Sequence, residues 1–203
     1  EECLENIDSV DVVEKEEKIE VDSGVEDIST IEGRYQKLKH IFDKYAKENL
    51  PKGWNPNKFK ALLVAISIRQ NNLGYPGGKY DPRWLMAYGE GLEGYMEDCK
   101  LDEDVDSIDY EEVEECAEIQ VRDASYTLKL GLDKHEDWIY KECNGRLVFL
   151  YHLRCVISFY YTGEKTKRVG SSDGKEFAKE TIKILDEFEK YLHDTEGLGW
   201  FND

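Results

Sequence analysis

Residues 55–70 read NPNKFKALLVAISIRQ, and they decide the architecture. Asn55 is a side chain that caps helix starts, and Pro56 presets the first helical turn. Phe59, Leu62, Leu63, Ala65, Ile66 and Ile68 then follow, so that the helix they form is apolar nearly all round. A helix of that kind cannot lie on a surface. It has to be wrapped by other elements, and the stretch is therefore read as the central buried helix of the domain.

The covering elements read as helices too. Upstream, Tyr35, Leu38, Ile41, Phe42 and Tyr45 recur at helical spacing over about 33–49, and Asn49-Leu50-Pro51-Lys52-Gly53 ends that stripe. Downstream, Asn71–Lys79 is a glycine-rich loop, and Asp81-Pro82 opens a short helix carrying Trp84, Leu85, Met86 and Tyr88. Gly89, Gly91 and Gly94 weaken it. From Tyr110 a helix runs through Val113, Ala117, Val121, Ala124 and Leu128. A long apolar helix from about His135 to Tyr161 follows, broken in two if Gly145 interrupts it. Its Trp138, Leu147, Phe149, Leu150, Leu153, Val156, Ile157 and Phe159 read as a second core element. A polar loop, Gly163–Gly174, precedes a last helix over about 175–193 with Phe177, Ile182, Leu185, Phe188 and Leu192 as its stripe. The expected fold is all-α, with five to seven helices around residues 56–70. The expected division is an acidic tail, 1–30, and a helical domain, 31–203.

The net charge of −18 is unevenly placed. Residues 1–30 hold twelve acids against Lys15 and Lys18, and residues 93–118 hold thirteen against Lys100. The rest of the chain is slightly basic. The tail alternates its acids with Val and Ile and reads either as disordered or as ordered by a partner. No stripe of clustered Lys and Arg is visible, so direct nucleic-acid binding is not expected. No apolar run is long enough to span a bilayer, since His152 and Arg154 interrupt Leu147–Tyr161. Localisation stays undetermined. The five cysteines are odd in number and share no CxxC spacing, so reduced thiols are expected, with one disulfide as the alternative in a secreted context.

Ala61–Gly89, ALLVAISIRQNNLGYPGGKYDPRWLMAYG, resembles the active-site region of the lysozyme-like lytic transglycosylases. In that family an apolar helix of the form ALLxAIAxxES ends on the catalytic Glu, and a loop and a GLMQ turn follow. The matching positions are Ala61–Ile66, Gln70-Asn71 and Leu85-Met86-Ala87, with Phe159–Gly163 in place of a distal YN-x-G turn. The resemblance covers about residues 58–163. It implies a glycan-binding, peptidoglycan-directed groove, with Gln70 where the catalytic acid belongs. An amide cannot protonate a glycosidic oxygen or act afterwards as base. Such a domain is then a non-catalytic relative that kept its groove, or a form inactivated at position 70. Glu90, which with Glu93 follows Tyr88-Gly89 toward the same cleft, is the candidate substitute carboxylate. Asn71, Tyr75, Tyr80, Trp84, Tyr88 and Glu93 are the candidate groove residues. Read as structure alone, the same stretch is a core helix followed by a loop.

Other chemistry is thin. Asp102-x-Asp104-x-Asp106 resembles the opening of a calcium loop, but Ser107 stands at its glycine position and Val113 at its twelfth. A looser calcium site over 102–112 remains open. His40, His135, His152 and His193 share no zinc spacing, and no metal or cofactor is expected. The second functional reading is an acidic helical interaction, structural or inhibitor protein, of the kind viruses and mobile elements carry, that engages a basic protein partner through its acidic segments.

Overall fold

A computed structural model describes residues 27–75, 83, 85, 86, 110–135, 143, 149–162 and 172–197. Five helices are found there, with no strand: α1 (Ile31–Glu48), α2 (Pro56–Asn71), α3 (Tyr110–Leu132), α4 (Phe149–Thr162) and α5 (Ser172–Glu196). The acidic tail up to residue 26, the short helix expected near 81–88 and the calcium-like loop lie outside the described residues.

Each boundary has a local cause. Thr30 caps α1 by accepting from the Gly33 N–H at 3.0 Å. Gly33 is required by a close approach, because a Cβ there would stand 2.0 Å from the Asp27 carbonyl oxygen. Asn55 caps α2 through the Asn57 N–H, with Pro56 in the first turn, as the sequence predicts. α2 ends on three consecutive left-handed residues, Asn72 (φ 47°), Leu73 (φ 56°) and Gly74 (φ 71°). Asn and Gly adopt that conformation readily; a leucine there is strained and needs support from its surroundings. Leu73 has that support. Its side chain is fully buried and its carbonyl accepts from the Tyr110 hydroxyl at 2.9 Å.

α2 is the centre. Residues Phe59–Ser67 are buried without interruption. α1 and α5 pack on it, and α4 packs between α5 and α3. The pairings give the directions. Arg34 near the start of α1 reaches the end of α2, and Asp43 near the end of α1 reaches Lys60 near the start of α2, so the two are antiparallel. His40–Glu114 and Lys44–Glu118 rise together along α1 and α3, which are therefore parallel. Arg69–Glu180 and Lys60–Glu196 run α5 back along α2. One end of the bundle thus gathers the starts of α1, α3 and α5. The opposite end gathers the start of α2, the first described turn of α4 and the ends of α1 and α3.

Two expectations are corrected. The cysteines are not all reduced thiols. Cys143 and Cys155 form a disulfide with a Cα–Cα separation of 5.4 Å, and Cys116 is bonded to a cysteine outside the described residues. The apolar run at the start of α4 is also not all core. Phe149, Leu150 and Tyr151 are 51%, 41% and 61% exposed. The exposure is confined to the first described turn: from Cys155 to Tyr160 every residue of α4 is buried, so the core encloses the helix along its length from there and leaves its start outside.

Candidate functional site

The described residues singled out at the end of α2 lie together around the NNLG turn. Gln70 is partly buried in the last turn, and Asn71 is 6% exposed. The Asn71 carbonyl accepts from the N–H of Gly74 at 2.9 Å and of Tyr75 at 3.3 Å. Tyr75 is partly buried under the Arg34 guanidinium, which stands 4.8 Å from its ring centre. Arg34 is itself buried. Its Nε donates to the Asn72 carbonyl at 2.8 Å and its Nη1 to the Ile28 carbonyl at 2.6 Å. Desolvation lowers its pKa, and the Tyr110, Tyr75, Glu32 and Asp27 side chains act against that shift. Arg34 and Tyr110 thus use the backbone carbonyls of the NNLG turn to lock it. The structure brings together Gln70, Asn71 and Tyr75. Tyr80, Trp84, Tyr88, Glu90 and Glu93 lie outside the described residues.

Leu85 and Met86, at the LMQ-like positions, are buried. Gln120 of α3 holds their segment by donating to the Arg83 carbonyl at 2.5 Å and accepting from the Met86 N–H at 3.0 Å. The Tyr160 hydroxyl donates to the Met86 carbonyl at 2.5 Å. Gln120 was not among the sequence candidates, and Tyr160 entered only within the Phe159–Gly163 stretch. An amide in the middle of a helical stripe carries no sign of the backbone segment it will bind.

A second surface is the outer edge of α3. Glu114 and Glu118 are taken up by α1, through His40 at 3.3 Å and Lys44 at 2.6 Å. Hydrogen bonds from Lys44 and Tyr45 hold the Glu118 carboxyl below the usual range. Glu111, Glu112 and Glu115 instead stand exposed, and among the described residues none of them has a cation within ion-pair distance. Glu111 and Glu112 lie in the first turn, where the helix dipole favours negative charge.

A third surface lies at the other end of the bundle, where the sequence reading expected core. The Cys143–Cys155 bond closes a loop that contains Phe149, Leu150 and Tyr151. His152 sits in the same loop, buried, with Nδ1 2.7 Å from the Cys143 carbonyl oxygen and Nε2 3.0 Å from that of Gly131 at the end of α3. Covalent closure and this bridge fix three apolar side chains in an outward-facing knuckle. Trp54 packs on Phe149 with ring centres 5.5 Å apart, and Lys58 Nζ lies 5.4 Å from the Phe149 ring centre. Beside Lys58, the Glu189 carboxyl is half buried, and its Oε1 is buried with no hydrogen-bond donor among the described residues. Burial pushes its pKa up, against the pull of Lys58 and with a push from Asp186.

That shift fixes a sign. A carboxyl whose folded pKa is raised contributes stability that is full below its unfolded pKa and lost as pH rises through the folded one. Glu189→Gln is therefore expected to be more stable than the parent at pH 8, by under about 1 kcal/mol given solvent screening of a half-exposed group, and equal to it near pH 4. Urea melts at the two pH values check this.

Among the described residues no helix is long and apolar enough to cross a membrane, and no group of three or more His, Cys, Asp or Glu is placed to hold a metal ion. Comparison of the chain with protein-family models, with curated proteins and with solved structures finds no match.

Proposed function

We propose that this chain is an acidic helical interaction protein that engages a basic protein partner, with the outer edge of α3 as part of the contact. The observation that carries the reading is the sorting of carboxylates on that helix. Glu118 is paired with Lys44 and Glu114 lies against His40, whereas Glu111, Glu112 and Glu115 are left outward and unpaired. They continue the run of acids over 93–118. Like charges held on one face repel one another, and a basic partner relieves that repulsion while being steered toward it.

The glycan reading draws less from the geometry. It needs an open groove beside Gln70, and Asn71, Leu73 and Tyr75 are spent there on packing and on the turn.

The test uses a basic protein probe, lysine-rich histone H1, in stopped-flow association with the parent chain and with Glu111→Gln/Glu112→Gln/Glu115→Gln. The triple variant is expected to associate about ten-fold more slowly at low salt, with a flatter salt dependence. A parallel arm titrates chitooligosaccharides and muropeptides and assays wall lysis for Gln70→Glu. Equal association rates for parent and triple variant would remove the α3 edge from the contact. Saturable glycan binding, or lysis by the Glu form, would replace the reading by the glycan one.

A further inference from the structure

The apolar knuckle lies beside cations, on a body that is slightly basic outside the two acidic segments. Lys58 stands over Phe149. Arg154 is exposed one turn after Leu150 and Tyr151, and α4 carries no acid at any position. The Lys52 N–H donates to Asp133 Oδ1 at 2.6 Å, which sets exposed Lys52 and exposed Lys134 together at the end of α3. His152 joins that same end to the knuckle through the Gly131 carbonyl. Asp133 is already neutralised by Lys129 at 2.9 Å, and the Glu189 carboxyl feels the charge of Lys58. This end of the bundle therefore offers aromatic and aliphatic surface flanked by Lys58 and Arg154, with Lys52 and Lys134 at the same end. It calls for an occupant that is both acidic and apolar.

We propose that the occupant is the chain's own N-terminal segment, residues 1–26, docked in cis on the Phe149–Tyr151 knuckle. The composition fits. The segment carries eleven acids against Lys15 and Lys18, interleaved with Leu4, Ile7, Val10, Val12, Val13, Ile19, Val21 and Val25. Its carboxylates meet Lys52, Lys58, Lys134 and Arg154, and its Val and Ile side chains meet Phe149, Leu150 and Tyr151.

The reach is sufficient. The chain enters α1 at the opposite end of the bundle, where Arg34 holds the Ile28 carbonyl. α1 is 18 residues long, about 27 Å. Twenty-six extended residues span up to about 85 Å. Covalent attachment raises the local concentration of the segment far above that of any free competitor.

The rival occupants fit less well. A second copy docking knuckle to knuckle brings one set of these cations against another. An anionic lipid surface has to admit a chain of net charge −18. The inference does not rest on the basic-partner reading. It adds to it a competition, because a segment bound in cis is withheld from a partner until that partner displaces it.

The test is zero-length carbodiimide coupling of the full chain at low ionic strength, using an equal mixture of unlabelled and 15N-labelled protein. Lys44–Glu118, at 2.6 Å, is the internal positive control. Expected are peptides joining Lys52, Lys58 or Lys134 to carboxylates of residues 1–26, each of a single isotope. Their yield is expected to fall about five-fold in Leu150→Asp/Tyr151→Asp, whose exposed side chains can change without loss of helical circular dichroism. Predominantly mixed-isotope peptides would assign the knuckle to a second copy and overturn the proposal. So would the absence of any coupling to residues 1–26 while the control couples, or an undiminished yield in the double variant.

Discussion

Lys60→Ala is expected to lower folding stability by about 3 kcal/mol, read as a drop in the urea midpoint with little change in slope. Lys60 lies in the buried stretch of α2, its side chain 3% exposed. Its ammonium pairs with Asp43 at 2.9 Å and Glu196 at 3.1 Å, and it stands 6.0 Å from the Tyr35 ring centre. Glu196 also takes Lys39 at 2.8 Å and the Tyr35 hydroxyl at 3.0 Å. The network ties α1, α2 and the last turn of α5 together. Removing the cation leaves Asp43 unpaired and Glu196 with Lys39 as its remaining ion-pair partner. Lys60→Met keeps the packing of the stem, and its loss is expected to be the smaller of the two.

The same network has a pH signature. Burial acts against ionisation of Glu196, but hydrogen bonds from Lys39, Lys60 and Tyr35 outweigh it and hold the carboxyl below its usual pKa. A depressed carboxyl contributes stability that is present above its unfolded pKa and lost as pH falls through the folded one. The acid limb of the stability curve should therefore be shallower in Lys60→Ala than in the parent. Equal limbs would show that Lys60 does not act on Glu196.

Cys143→Ala/Cys155→Ala is expected to cost a similar amount, about 3 kcal/mol, because the bond closes a loop of just over a dozen residues in the unfolded chain. For a domain of this size that corresponds to a melting point lower by about 6–12 °C. The measurement is a thermal melt without reductant. Dithiothreitol should then lower the variant further, since Cys116 is also bonded. A melting point equal to the parent's would mean that Cys143 and Cys155 are not joined. Disulfides persist in oxidising compartments, so this is also the condition under which the fold described here is to be made and handled.

The five described helices were legible because each carries a stripe or a cap that depends on neighbours in sequence. α2 was the plainest: Asn55 and Pro56 mark its start, and only burial on every side satisfies its apolar content. What sequence could not supply were pairings at a distance. Lys60 looks like any helical lysine until Glu196, 136 residues later, is folded against it. Cys143 and Cys155 were hidden by an odd cysteine count and an unfamiliar spacing. Phe149 and Leu150 were assigned to the core because composition shows how apolar a helix is and not how much of its length the core covers. At the Gln70 corner, the left-handed Asn72 and Gly74 are what those residues favour. Leu73 between them gives no such signal.

The position of α2 has a consequence for how the chain is made. α1 precedes it and shields one side as its antiparallel neighbour. Its other main cover, α5, begins about 100 residues further on. At about 5–20 residues per second, α2 waits roughly 5–20 s with an apolar flank uncovered. The order of synthesis thus opposes the order of burial, and during that interval the nascent chain is at its most open to holding chaperones and to self-association.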